Sequence, residues 1–192
     1  MTIAGLVPAA GASRRMGQDK RRLPYRGGTV LEHTVASLRD GGVAPVVVVL
    51  EPDSPCSSLA GLADTVQVVN PDPDRGMLSS IRVGLAGVPA EADAVAVLPG
   101  DHPFVPVAAV AALRLHFHAH RPPLLVPLYE GRRGHPLILA RALFDEAAAC
   151  DDAVGLRQLL RRREADLVTL ELGFPEAERD LDTPEDLSLL KE

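Results

Sequence analysis

Apolar residues along this chain fall into two alternating rhythms. Short, mainly apolar runs, Ile3–Pro8, Pro45–Leu50, Thr65–Val69, Ala94–Leu98 and Asp166–Leu172, predict strands, and the Val run Pro45–Leu50 has the length and β-branching of a buried one. Between them apolar positions recur every three or four residues. Leu31, Val35 and Leu38 lead up to Gly41-Gly42; Met77, Ile81 and Leu85 form a second stripe. Val110, Leu113 and Phe117 form a third, with Pro106 near its start, where proline is tolerated. Leu124–Leu128 and His135–Leu139 bracket Gly131-Arg132-Arg133-Gly134 and predict a hairpin. Residues 142–149, 155–163 and 184–190 predict shorter helices. Strands that alternate with helices predict βαβ units, and strands apolar throughout predict a sheet covered on both faces. The expectation is a three-layer, Rossmann-like α/β fold with a mostly parallel sheet, built as one domain over residues 1–192.

Composition narrows what such a domain can do. The 192 residues carry 20 Lys+Arg against 26 Asp+Glu, a net charge of −6, which argues against a broad nucleic-acid face. Aromatics are only 3 %, so the core is aliphatic and stacking platforms for single strands are not expected. No apolar run approaches the roughly 18 residues of a membrane span. Arg14 and Arg15 follow the first apolar stretch instead of preceding it, the wrong order for a signal peptide. Cys56 and Cys150 show no CxxC spacing and are expected to be reduced thiols. A cytoplasmic location is expected.

Ligands of such folds sit outside the carboxyl ends of the strands, so residues just after strands matter most. Three constellations stand there. Ala9-Ala10-Gly11-Ala12-Ser13 follows the first strand, and Arg14, Arg15 and Lys20 follow it. Small residues let backbone N–H groups approach a phosphate, and cations supply charge. The spacing is neither GxxxxGK[ST] nor GxGxxG. Pro99-Gly100-Asp101-His102-Pro103 places a carboxylate at another strand's end, suited to Mg²⁺ beside phosphates, or to capping the next helix. Asp180 and Asp182 point the same way if that segment is extended, a pair suited to a divalent cation, while Thr183-Pro184 also reads as a plain helix start.

Taken together these segments resemble the MobA-like nucleotidyltransferases, and within them the molybdenum cofactor cytidylyltransferases. Leu6–Lys20 is similar to the family signature LxxAAGxSxRMGxxK. Asn70-Pro71 with Gly76–Ile81 and Gly84-Leu85 is similar to NP…GMxxSIxxGL, and Leu98–Pro103 to LxGDxP. Gly134-His135-Pro136 matches GHP. Asp152, Gly155, Arg157 and Leu159-Leu160 match a D-x-G-x-R-x-LL helix, and Asp180–Leu187 matches DxDTPEDx. The motifs span nearly the whole chain in order.

The resemblance implies a nucleotidyltransferase fold and transfer of NMP from an NTP to a phosphate-bearing acceptor, with release of pyrophosphate. It implies that Ala9–Ser13 hold the triphosphate, that Arg15 and Lys20 neutralise it, and that Asp101 binds Mg²⁺ with Asp180 and, less directly, Asp182. Asn70 and Ser80 are implied near the nucleoside and His135 on the acceptor side. The LxxAAG form goes with CTP. Molybdopterin or the molybdenum cofactor is the implied acceptor, with a molybdoenzyme or its chaperone as the implied protein partner. No catalytic Ser–His or Cys–His pair is expected. The rival readings are a guanylyl- or sugar/polyol-phosphate nucleotidyltransferase of the same fold, and a non-catalytic cofactor carrier.

Three positions depart from the pattern. Arg21 and Arg22 stand where apolar residues are usual after the signature lysine, and they are expected to be solvated. His102 stands where Gln is common in cytidylyltransferases. His116 and His120 have the i, i+4 spacing of a metal pair but no HExxH glutamate, so a surface helix end is expected. Arg161-Arg162-Arg163 reads as a helix C-terminus, with cations at the negative end of the dipole.

Overall fold

The computed structural model describes residues 1–11 and 19–174, together with Leu181, Asp186 and Leu190. Its strands are β1 (Ile3–Pro8), β2 (Pro24–Tyr25), β3 (Gly28–Thr29), β4 (Val46–Leu50), β5 (Val66–Val69), β6 (Ala94–Val97), β7 (Leu124–Tyr129), β8 (Arg132–Arg133), β9 (Leu137–Ala140) and β10 (Leu167–Glu171). Its helices are α1 (Val30–Asp40), α2 (Met77–Ala86), α3 (Val107–His120), α4 (Phe144–Ala148) and α5 (Arg157–Arg162).

One eight-stranded sheet runs in the order β10-β7-β9-β6-β1-β4-β5, with β8 beside β7. β1 is parallel to β4 and β6, β4 to β5, and β10 to β7; β9, between β6 and β7, and the short β8, beside β7, run antiparallel. The sheet is therefore mostly parallel, and β1 lies inside it between β6 and β4.

The continuous apolar strands divide their side chains between two cores by the period-two rule. Ile3 and Val7, with Val46, Val48 and Leu50, meet α1 and α3 on one face. Ala4 and Leu6, with Val47 and Val49, meet α2, α4 and α5 on the other. That gives helix, sheet, helix: three layers. At Gly84 α2 lies so close to the sheet that a Cβ would collide with the side chains of Leu6 and Val49. α1 begins with a capping box: Thr29 Oγ1 accepts from Glu32 N at 3.4 Å, and Glu32 Oε2 accepts from Thr29 N at 2.9 Å.

The hairpin expected at residues 124–139 forms in two stages. β7 turns at Glu130-Gly131, both with positive φ (52° and 78°), and β8 pairs back on it, Leu128 opposite Arg133. The chain then crosses to place β9 against both β6 and β7. No described helix is long and apolar enough to cross a membrane. The helix expected at 184–190 lies outside the described residues apart from Asp186 and Leu190.

Candidate active site

The carboxyl ends of β1, β4 and β6 lie side by side, and three sequence motifs meet over them. After β1, Ala9 and Ala10 are buried and Gly11 is exposed. Ala9 stays in register with the sheet, its N–H donating to the Val49 carbonyl at 2.8 Å. Opposite it, a Cβ on Gly100 would lie 2.9 Å from the Ala9 Cβ, so only glycine lets the two strand-end loops approach this closely. Ala12, Ser13 and Arg15 lie outside the described residues.

Lys20 opens a single 3₁₀ turn over Lys20–Arg22. Its Nζ forms an ion pair with Asp101 Oδ2 and donates to the Leu181 carbonyl at 2.8 Å. Burial pushes the Asp101 carboxyl up, but the charges of His102 and Lys20 outweigh it and hold the group below its ordinary value. It is ionised at neutral pH. The Lys20–Leu181 bond brings the Asp180–Asp182 motif's central residue to the same place. Asp180 and Asp182 themselves lie outside the described residues. No group of three or more His, Cys, Asp and Glu able to hold a metal occurs among the described residues.

His102 and His135 stand beside this pair. Their ring centroids are 4.8 Å apart, and His102 Nε2 lies 3.8 Å from Asp101 Oδ1. β9 brings His135 there, because Leu137 pairs with Val97 just before the Asp101 loop. Burial, and then the His102 charge, lower the His135 pKa to about 3, so its imidazole is neutral at physiological pH. Tyr129 Oη donates to the His135 carbonyl at 3.1 Å and holds the turn.

Asn70 and Ser80 are brought together, as the motif implies. Asn70 is buried, and its Nδ2 donates to Ser79 Oγ at 2.8 Å and Ser80 Oγ at 3.0 Å, while its Oδ1 accepts from Asp72 N at 3.0 Å. Both of its amide protons are thus used inside the protein, where they shape the start of α2.

The expectation for Arg21 and Arg22 is corrected in part. Arg22 is exposed, but Arg21 is 6 % exposed and fully engaged. Its Nε and Nη2 donate to the two Asp19 oxygens at 2.7 and 2.9 Å. Its Nη1 and Nη2 donate to the two Glu51 oxygens at 2.5 and 2.7 Å, and Nη1 also donates to the Ala9 carbonyl. Sequence reasoning missed Asp19, Glu51 and Cys56 as parts of this cluster. Glu51 carried a usable signal, since it directly follows the Val46–Leu50 strand.

Asp152, read as a helix motif residue, accepts from Arg75 at 2.7 Å and pairs with Arg82 as well. Arg82 Nε donates to the Ala148 carbonyl at 2.5 Å, which ties α2 to α4. His116 and His120 stack at 4.3 Å on the outer end of α3, as expected of a surface helix end.

A nucleotide's phosphates suit this arrangement. The site sits at the carboxyl ends of parallel strands, lined by small residues and one ammonium, with one ionised carboxylate for a hard cation.

Residues 5–167 match the family model described as MobA-like NTP transferase domain. A relative from Escherichia coli K12 named molybdenum cofactor cytidylyltransferase is 27 % identical over 97 % of this chain and 94 % of its own length. The nicotine blue oxidoreductase of Paenarthrobacter nicotinovorans is 30 % identical over 96 % and 94 %. A probable molybdenum cofactor guanylyltransferase of Opitutus terrae is 38 % identical over 58 % and 54 %. The crystal structure of Rv0371c from Mycobacterium tuberculosis H37Rv in complex with manganese superposes with a TM-score of 0.84, at 29 % identity and full coverage of both chains. The chain belongs to the MobA-like NTP transferase family.

Proposed function

We propose that this protein transfers CMP from CTP to the phosphate of a molybdenum-cofactor-type acceptor, with Mg²⁺, and releases pyrophosphate. The observation that carries the reading is the Lys20–Asp101 pair over the carboxyl ends of β1 and β6. Its two charges satisfy each other, and a nucleotide with its divalent cation offers each a stronger partner: phosphate oxygens for Lys20, the cation for Asp101. The donor set fits Mg²⁺, which commonly takes one or two carboxylates, substrate phosphates and retained waters. Asp101 supplies one carboxylate, and Asp180 with Asp182 are proposed for the remainder. Bound there, Mg²⁺ would neutralise charge on the triphosphate and favour loss of pyrophosphate.

The chain's own residues bind and orient. Ala10, Gly11, Ala12 and Ser13 are proposed to bring backbone N–H groups to the phosphates, while Ala9, whose N–H is used by the Val49 carbonyl, anchors the start of that segment to the sheet. Lys20 and Arg15 neutralise them. Ser80, held by Asn70, faces the nucleoside, and His135 lies on the acceptor side. An acceptor phosphate oxygen forms a bond to the α-phosphorus, and the bond from that phosphorus to the β-phosphate's bridging oxygen breaks. The acceptor is already an anion near neutral pH, so no residue has to remove a proton. His135, neutral across the physiological range, is consistent with a shape-and-contact role.

CTP is favoured over GTP by the LxxAAG form of Leu6–Gly11 and by the long match to the cytidylyltransferase; the shorter match to a guanylyltransferase makes GTP the runner-up. The likeness to an oxidoreductase means that family membership alone does not specify the reaction, so the test must be direct. Purified protein with Mg²⁺ is given CTP, GTP, ATP or UTP, with and without molybdenum cofactor, and pyrophosphate is measured. Release with CTP only in the presence of cofactor is expected. Release with GTP alone overturns the nucleotide assignment, and silence with every NTP overturns the transfer reading.

A further inference from the structure

Arg21 joins three places that the chain keeps far apart. Its guanidinium reaches the Ala9 carbonyl, where the chain leaves β1. It grips the Asp19 carboxylate, where the same segment ends, and the Glu51 carboxylate just after β4. A guanidinium has five N–H donors, and these bonds use all five. Arg21 therefore has no donor left for a substrate. The cluster is anchored on its far side: Glu51 Oε1 also accepts from Ser54 Oγ at 2.9 Å, and Cys56 Sγ lies 3.7 Å from Asp19 Oδ2.

The neighbouring Lys20 reaches the other way. In the sheet β1 lies between β4 and β6. Arg21 fastens residues 19–21 over the end of β4, and Lys20 meets Asp101 over the end of β6. One short 3₁₀ turn thus spans three strand ends.

We propose that Arg21, with Glu51, is a positioning residue that holds the Lys20–Arg22 turn, which follows the proposed triphosphate segment, against the carboxyl ends of β1 and β4 and so aims Lys20 at the nucleotide's phosphates. Fixing the turn that carries Lys20 in the folded protein spares the binding step the cost of placing it. Lysine carries the same charge but cannot hold three acceptors in one plane. The inference rests on the triphosphate reading of this segment.

The test is steady-state kinetics and CTP·Mg titration calorimetry on wild type, Arg21→Lys and Glu51→Gln, with thermal melting of each. KM and Kd for CTP are expected to rise about tenfold in both variants, with kcat and the acceptor KM changed less than about threefold. Pyrophosphate, used as a competitive inhibitor, is expected to weaken by the same factor, since the segment holds phosphate and not base. If both variants melt lower yet keep wild-type KM, Kd and pyrophosphate inhibition, Arg21 is only a structural brace and the inference is overturned. If wild type itself neither binds CTP nor releases pyrophosphate, the transfer reading has failed first, which the wild-type arm shows without any variant.

Discussion

Two ion-paired regions lie against each other over the end of β1, and they are built to opposite standards. In the Arg21 cluster every guanidinium donor is used, and both carboxylates accept in bidentate fashion. Burial pushes the Asp19 and Glu51 carboxyls up, but their bonds to Arg21 win and hold both below their ordinary values. The Lys20–Asp101 pair is also mostly buried, but its cation is a single flexible ammonium, whose partners include the Asp101 carboxylate and the Leu181 carbonyl. A planar fork specifies geometry; an ammonium on a four-carbon stem can change partners. The contrast teaches a division of labour between residues 20 and 21. One cation is spent on shape, and the next is kept exchangeable for chemistry.

Stability should separate the two most sharply. Arg21→Met leaves two partly buried carboxylates without the guanidinium that pairs them, and breaking a buried pair in this way costs up to roughly 3–5 kcal/mol. Urea unfolding is expected to show that loss. A change under about 1 kcal/mol would mean that water reaches the cluster freely and that the comparison is mistaken.

Activity should separate them the other way. Asp101→Asn is expected to lower kcat by about 10²–10³, the scale seen when one preorganised charge is removed from a transition state. Its melting temperature should stay near wild type, because the asparagine amide oxygen can still accept from the Lys20 ammonium. Wild-type turnover at saturating Mg²⁺ would remove Asp101 from the mechanism.

The pH dependence of stability tests the histidine beside this site. His135 has its pKa lowered from 6.5 to about 3 by burial and by His102, so the folded state holds it neutral. Between those values the unfolded state takes up a proton that the folded state refuses. Stability is therefore fully present above pH 6.5, falls as pH drops, and stops falling from this cause below about 3. One such proton contributes a slope of roughly 1.4 kcal/mol per pH unit. His135→Gln is expected to flatten the acid limb of the unfolding midpoint by up to that slope. An unchanged limb would show that the ring is solvated.

How much of this was legible beforehand depends on range. β1, β4 and β6 could be read because strands buried on both faces are apolar throughout, and α1, α2 and α3 because each carries a stripe at helical spacing. Lys20 and Asp101 could be read because each belongs to a motif at a strand's end. The Arg21 cluster could not. An arginine after a motif lysine looks like surface charge until the neighbour order β6-β1-β4 brings Glu51 beside it. The His102–His135 pair was hidden for the same reason. It exists because β9 runs antiparallel beside β6, and nothing local in Leu137–Ala140 names that partner. Asn70 was legible as a motif residue but not as one whose amide is used up by Ser79 and Ser80.

The smallest effect sharpens the comparison most, because it supplies the control that the Arg21 argument needs. Thr29 caps α1 through Glu32 and takes no part in either ion-paired region. Thr29→Ala removes that cap and should cost about 1 kcal/mol of stability. If loss of stability by itself loosened the phosphate end, this variant would raise the KM for CTP in proportion to its fall in melting temperature. A staple acting on position predicts otherwise: Thr29→Ala melts lower and keeps its KM within about twofold, whereas Arg21→Lys raises KM far beyond that. Plotting KM against melting temperature for wild type, Thr29→Ala, Glu51→Gln and Arg21→Lys decides between the two. A single line through all four makes Arg21 one more stabilising contact, and two separate trends mark it as the residue that aims Lys20.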